Sequence, residues 1–185
     1  MQEPMFILVG PSASGKTAFA KRLVEELGIR RAVTTTTRRP RPGEGANDYH
    51  FLTQAEFKTV KMVESINYAG NRYGTSCAEV DISSLAILEP VGAQLLQNYC
   101  RQKGRPCFII GLAVSKKELV ERMVQRGDTP AAIDARIKQD AVSFANMPAI
   151  CDTIVQNHEF TSAYAAVKNY IVARVSSKEE DSNHE

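Results

Sequence analysis

Short apolar runs and amphipathic stretches take turns along this chain. Nearly unbroken apolar runs fall at Met5–Val9, Leu85–Glu89, Cys107–Val114 and Thr153–Gln156. Runs of that length, rich in β-branched and aromatic residues, read as strands covered on both faces. Helical stretches lie between and after them, over Lys16–Leu27, Ala93–Lys103, Lys116–Arg126, Pro130–Ala145 and Ser162–Val175. Strands alternating with helices predict an α/β fold, a sheet with helices on both faces.

Several helices announce their own ends. Ser115-Lys116-Lys117-Glu118 is a capping box, in which Ser115 and Glu118 satisfy N–H groups that have no partner within the helix. Thr129-Pro130 places a cap before a proline whose φ is already helical. Gly28 and Gly104 are placed to stop the helices before them. Residues 31–82 break the rhythm. Thr34–Thr37 is β-prone, whereas Pro40, Pro42, Gly43 and Gly45 forbid regular structure, and Tyr49–Leu52 reads as a short strand. A second capping box, Thr53-Gln54-Ala55-Glu56, opens a short helix before Met62–Tyr68. This segment is expected to be a lobe inserted into a core of residues 4–30 and 83–175. The tail from Ser176, with Glu179, Glu180 and Asp181, is expected to be disordered.

Composition narrows the setting. The 185 residues suit one domain, and 43% hydrophobic residues can build a sizeable core. A net charge of +2 says nothing about nucleic acid or membranes. No apolar stretch approaches a membrane span, and Met1-Gln2-Glu3-Pro4 lacks the basic start of a signal peptide. Cys77, Cys100, Cys107 and Cys151 show neither CxxC spacing nor clustering with His50, His158 and His184, so they read as reduced thiols. The expected location is the cytoplasm. Charge is concentrated between Arg30 and Pro42, where five arginines (30, 31, 38, 39 and 41) occur without an acid.

The chemistry begins after the first strand. Gly10-Pro11-Ser12-Ala13-Ser14-Gly15-Lys16-Thr17 fits GxxxxGK[ST], between a strand and a helix as this phosphate-binding loop requires. Glycines allow consecutive N–H groups to turn around a phosphate, and the helix N-terminus adds partial positive charge. Lys16 can reach the terminal phosphates of a nucleoside triphosphate, and the Thr17 hydroxyl can sit on magnesium.

A phosphate loop alone covers switches, motors and kinases. The run Thr34-Thr35-Thr36-Thr37-Arg38-Arg39-Pro40-Arg41-Pro42-Gly43-Glu44, with Asp48-Tyr49-His50-Phe51 after it, selects among them. It resembles the monophosphate-binding region of guanylate kinases, whose pattern is roughly TTRxPRPGE…DYxF. The likeness continues through Glu64, Gly70-Asn71-Arg72-Tyr73-Gly74-Thr75, and Arg122, Arg126-Gly127 and Arg136, and spans about residues 5–157. The resemblance implies a P-loop NTPase-type parallel sheet flanked by helices, with an inserted nucleoside monophosphate-binding lobe and a small helical lid at about 122–140. It implies phosphoryl transfer from ATP to GMP or dGMP with Mg²⁺, by a monomer or weak homodimer without nucleic acid or membrane partners.

By the same resemblance, Arg38, Arg41, Tyr49 and Tyr73 hold the acceptor phosphate. Planar guanidinium forks grip phosphate oxygens in pairs. Glu64 reads guanine, with Thr34 and Thr75 supplying hydroxyls where the family usually has serine. Lys16, Arg122, Arg126 and Arg136 stabilise the moving charge, and Asn157 lies near the adenine of ATP. Three departures stand out. Ala13 replaces a common glycine, and the lid and the Glu44–Tyr49 stretch are each about one residue short. The strand ending Leu85-Ala86-Ile87-Leu88-Glu89-Pro90-Val91-Gly92 carries Glu89, which the resemblance places among the GMP-binding residues, as its lone acid where the family has two aspartates. That change leaves two alternatives beside the kinase: a catalytically weak binding module of this family, or a sister kinase for another phosphorylated acceptor such as ribose 1,5-bisphosphate.

Overall fold

The structure is a computed structural model that describes residues 3–40, 43–46, 48–68 and 70–182. In chain order the elements are β1 (Met5–Val9), α1 (Lys16–Leu27), β2 (Thr34–Thr36), β3 (Tyr49–Phe51), α2 (Gln54–Thr59), β4 (Met62–Tyr68), β5 (Asn71–Ser76), α3 (Cys77–Asp81), β6 (Leu85–Ile87), α4 (Pro90–Gln102), β7 (Cys107–Ala113), α5 (Lys116–Gln125), α6 (Pro130–Ser143), α7 (Met147–Ile150), β8 (Thr153–Gln156) and α8 (Phe160–Ser182).

The core sheet runs β6-β1-β7-β8, and every pairing in it is parallel. All of β1 is buried, because helices cover both faces. Successive strand side chains point to opposite faces, which sorts the core in two. Phe6 and Leu8 meet Phe19 and Leu23 of α1 and Val167 and Ile171 of α8. Ile7 and Val9 meet Leu96 and Cys100 of α4 and Met147 of α7. The fold class expected from the alternating pattern is therefore present.

A second sheet, β3-β2-β5-β4, is built between residues 34 and 76; β2 and β3 are parallel, and the other pairs are antiparallel. Glu79 of α3 ties this sheet to the core. It is buried, and its carboxylate accepts the Val33 N–H at 3.1 Å and Arg30 Nη2 at 3.3 Å and lies 2.9 Å from His50 Nε2. Those contacts hold its proton affinity below the usual carboxylate range, although burial opposes them.

The local signals held. Both capping boxes form, Thr129 accepts the Ala132 N–H ahead of Pro130, and Gly28 is left-handed at the end of α1. Other boundaries differ from expectation. The sixth strand ends at Ile87, and α4 begins at Pro90 rather than Ala93. Proline suits a first helical position, where its missing N–H has no intrahelical role. β5, α3 and α7 had no signal in the apolar pattern. The final helix continues to Ser182, through most of the stretch expected to be disordered. Lys178, Glu179 and Glu180 are good helix formers, and extending an existing helix needs no new nucleus. Among the described residues, no helix is long and apolar enough to cross a membrane.

Candidate active site

The loop between β1 and α1 is shaped by close approaches. A Cβ on Gly10 would lie 2.6 Å from the Leu112 carbonyl oxygen, so the chain leaves β1 where only glycine fits. Gly15 turns into α1 at φ 100° with no side chain capping the helix, which leaves the first-turn N–H groups facing the loop. Ala13 has φ 61°, the left-handed region. Strain of that kind costs about 1–2 kcal/mol in an L-residue.

Four side chains hold the loop from outside. Asn157, at the end of β8 and 2% exposed, donates its side-chain amide to the Ser14 carbonyl at 2.8 Å. Arg122 donates to the Ala13 carbonyl at 3.3 Å and to the Asn157 carbonyl at 2.6 Å. From α6, Asp140 Oδ2 accepts the Ser12 N–H at 2.7 Å, and Arg136 Nη1 donates to Ser12 Oγ at 3.4 Å. Lys16 folds back onto the carbonyls of Gly10 and Pro11, the latter at 2.9 Å. Burial lowers its pKa to about 8, against the pull of Asp140 and Glu89 and together with the push of Arg136.

The loop forms one wall of a cavity of about 360 Å³, whose lining includes Lys16, Thr34, Glu64, Tyr73, Glu89 and Arg136. Glu64 on β4 lies opposite Thr75 on β5, which donates its hydroxyl to Glu64 Oε1 at 2.8 Å. Burial and the nearby Glu89 raise the Glu64 pKa, while the Thr75 bond resists that shift. The first turn of α4 lies near the same side chain, where a Cβ on Gly92 would be 3.5 Å from Glu64 Cγ. Glu89 occupies the N-cap position of α4, yet its side chain does not cap the helix and lines the cavity instead.

Arg38 lies beside this cavity. Its guanidinium bonds Glu44 at 2.9 Å and the Arg39 carbonyl at 2.8 Å. It also stacks 5.3 Å from the Tyr49 ring centre and interacts with Tyr73, whose ring is 6.3 Å from Tyr49. Tyr49, Arg122, Asn157, Arg126 and Thr17 do not line the cavity themselves. Arg126 ends α5 paired with Asp128 and is not among the cavity's lining residues. Thr17 lines an adjoining groove with Arg30 and Arg31, and Ile87 is shared by both spaces. Arg41 lies outside the described residues. The sequence reading missed Asp140, although its place four residues after Arg136 puts both on one face of a helix.

A phosphate loop at the end of a parallel strand, opposite a second sheet that presents a buried carboxylate, defines a P-loop nucleotide kinase architecture. Comparison with known proteins gives the family. The family model for guanylate kinase matches residues 2–174, and the chain belongs to that family. It is 32% identical over 183 residues to a guanylate kinase of Rhodopseudomonas palustris, covering 91% of this chain and 82% of the relative. It is 31% identical over 180 residues to the guanylate kinase of Homo sapiens, covering 88% and 89%. A crystal structure of guanylate kinase from Anaplasma phagocytophilum superposes with a TM-score of 0.71 at 23% identity, covering 94% of this chain and 87% of that one, which shows the shared fold.

Proposed function

We infer that the protein transfers the terminal phosphoryl group of ATP to GMP or dGMP, giving ADP and GDP or dGDP. The observation that carries this reading is a buried carboxylate, Glu64, braced by Thr75 on the same cavity as Lys16 and Arg136. An ionised carboxylate only accepts hydrogen bonds. It therefore matches the N1–H and exocyclic amine of guanine and repels the unprotonated N1 of adenine. Thr34 offers a further hydroxyl from the cavity wall.

The acceptor phosphate is assigned to Arg38, Arg41, Tyr49 and Tyr73. The stacking of Arg38 on Tyr49 supports this, since it fixes one fork in place. On the donor side, the loop amides and Lys16 hold the triphosphate. Arg122, Arg126 and Arg136 are assigned to the charge that develops between the two phosphates. Phosphoryl transfer depends mainly on alignment and charge stabilisation, and the acceptor phosphate is already anionic, so the reading needs no general base. The position of Asn157 behind Ser14 favours holding the loop in shape over direct contact with adenine.

Magnesium suits the donor set. Thr17, next to Lys16 in sequence, lines the adjoining groove, and Glu89 lines the cavity itself. Both offer hard oxygens, the kind magnesium prefers while it keeps several waters. When bound, the ion would neutralise phosphate charge. We also propose that the second sheet with α2 and α3 is a monophosphate-binding lobe and α5–α6 a lid. The same reading takes the protein as a monomer or weak homodimer, and four free cysteines suit the cytoplasm. No role for nucleic acid or membrane is needed.

The test is ADP formation with GMP, dGMP, AMP, UMP, CMP and ribose 1,5-bisphosphate offered separately. Turnover confined to the guanine nucleotides is the expected result. Preference for the sugar phosphate, or GMP binding without turnover, would overturn it.

A further inference from the structure

We propose that Asp140 is an internal competitor for the donor's terminal phosphate: its carboxylate sits on the Ser12 amide and must leave before the triphosphate can seat. This rests on the donor-site reading above and adds a residue that the reading does not contain.

The argument starts from what surrounds Ser12. Its N–H donates to Asp140 Oδ2 at 2.7 Å, across 128 residues of sequence. Its hydroxyl accepts from Arg136, one turn earlier on α6, at 3.4 Å. Lys16 feels the Asp140 charge more strongly than that of Glu89. One loop amide thus bonds the carboxylate, Lys16 lies within reach of its charge, and Arg136 bonds the hydroxyl of the same serine. Those donors and cations are also what an anionic phosphate oxygen would seek. A carboxylate and a phosphate repel each other, so they cannot share the place.

The contact also explains where α6 rests. Its apolar hold is small: Ile133 and Ile137 pack with Leu119 and Met123 of α5. The Asp140–Ser12 bond pins the more distal part of the helix to the loop. With the donor away, Asp140 keeps the helix that carries Arg136 against the phosphate site. When the donor arrives, one anion replaces another and Arg136 is already at hand. Donor affinity is reduced by the fraction of molecules in which the plug is seated.

The experiment compares Asp140→Ala, Asp140→Asn and Asp140→Glu with the wild-type chain. Calorimetry gives Kd for Mg-ATP, for inorganic tripolyphosphate (which has no base) and for GMP; steady-state kinetics gives KM and kcat. In Asp140→Ala, Kd for both polyphosphates and KM for ATP should fall by roughly 3- to 10-fold, while Kd for GMP stays put. Asp140→Asn can still accept the Ser12 N–H but carries no charge, and should tighten donor binding by a smaller factor. Asp140→Glu should return toward wild type, which a purely structural role for the position would not produce. Should Asp140→Ala fail to fold by circular dichroism, the asparagine variant carries the test. Polyphosphate binding in the wild type with equal or weaker binding in the neutral variants would overturn this proposal alone. A wild-type chain that binds neither polyphosphate would overturn the donor-site reading and this proposal with it.

Discussion

Thr75 and Glu64 face each other across neighbouring strands, and the Thr75 hydroxyl donates to Glu64 Oε1 at 2.8 Å. The bond steadies a carboxylate that burial would otherwise neutralise more readily. Glu64→Gln turns one acceptor into a donor and leaves guanine N–H groups poorly paired. An unsatisfied buried partner costs about 1–3 kcal/mol, so discrimination between GMP and AMP should fall by roughly 5- to 150-fold at about 1.4 kcal/mol per tenfold. The ratio of kcat/KM for the two nucleotides checks this, and an unchanged ratio removes Glu64 from the base pocket.

The raised proton affinity of Glu64 has a pH signature. Its folded pKa lies above 4.5, so the empty pocket favours the protonated form, and that contribution to stability is lost as pH rises through the folded value. GMP requires the anion and should bind better above it. KM for GMP is expected to climb as the assay moves down from neutral toward the carboxylate range. Thr75→Val should shift the midpoint of that climb upward, and Glu64→Gln should abolish it.

Lys16 titrates in the opposite sense. Burial brings its pKa to about 8 from 10.5, so the charge it presents to a donor phosphate is lost from the free protein as pH passes that value. A pH profile of kcat/KM for ATP, which reports free-enzyme groups, should decline above about pH 8. The ligand-free chain should gain stability between about 8 and 10.5, where the unfolded lysine still holds a proton that the folded one has released. Lys16→Ala should collapse turnover with GMP binding intact, which equilibrium binding would show.

Asn157 and Gly15 act on one contact. A Cβ on Gly15 would come within 2.7 Å of Asn157 Nδ2, and the same amide holds the Ser14 carbonyl. Asn157→Ala should lower stability by about 1–3 kcal/mol through the carbonyl it orphans and should raise KM for ATP, leaving KM for GMP unmoved. Gly15→Ala should do likewise, and the double variant should lose less than the two singles combined, because both disturb the same pair. Urea denaturation and steady-state kinetics together decide it.

On the acceptor side, a Cβ at Gly74 would lie 2.5 Å from the Glu64 carbonyl oxygen. β4 and β5 would have to part where Glu64 is positioned. Gly74→Ala is expected to destabilise the chain by about 1–3 kcal/mol and to raise KM for GMP. Equal stability in urea would show that the strands yield without strain.

Much of the scaffold was legible beforehand because its causes are local. Ser115 and Glu118, or Thr53 and Glu56, need only three residues of separation to cap each other. Buried parallel strands show as apolar runs because both of their faces are covered. Where neighbours decide, the pattern was silent. Asn71–Ser76 is mostly polar, yet it is a strand between β2 and β4, since pairing on both sides outweighs weak propensity. Arg105 offers no hint of burial, but its guanidinium donates to the carbonyls of Glu3, Val80 and Ser83 at 2.6, 2.7 and 2.6 Å.

The amino-acid order alone determined the phosphate loop, the capped helix starts after Thr53, Ser115 and Thr129, and the arginine- and tyrosine-bearing segments, for each depends on residues within one or two turns of one another. The tertiary structure decided which of these meet. It buried Glu64 against Thr75 and set Asn157 behind Ser14. It separated Arg126 from the cavity and brought Asp140 onto Ser12. Contacts between residues far apart in sequence exist only once the sheets assemble, because they depend on the relative placement of whole strands and helices and not on any local preference of the chain.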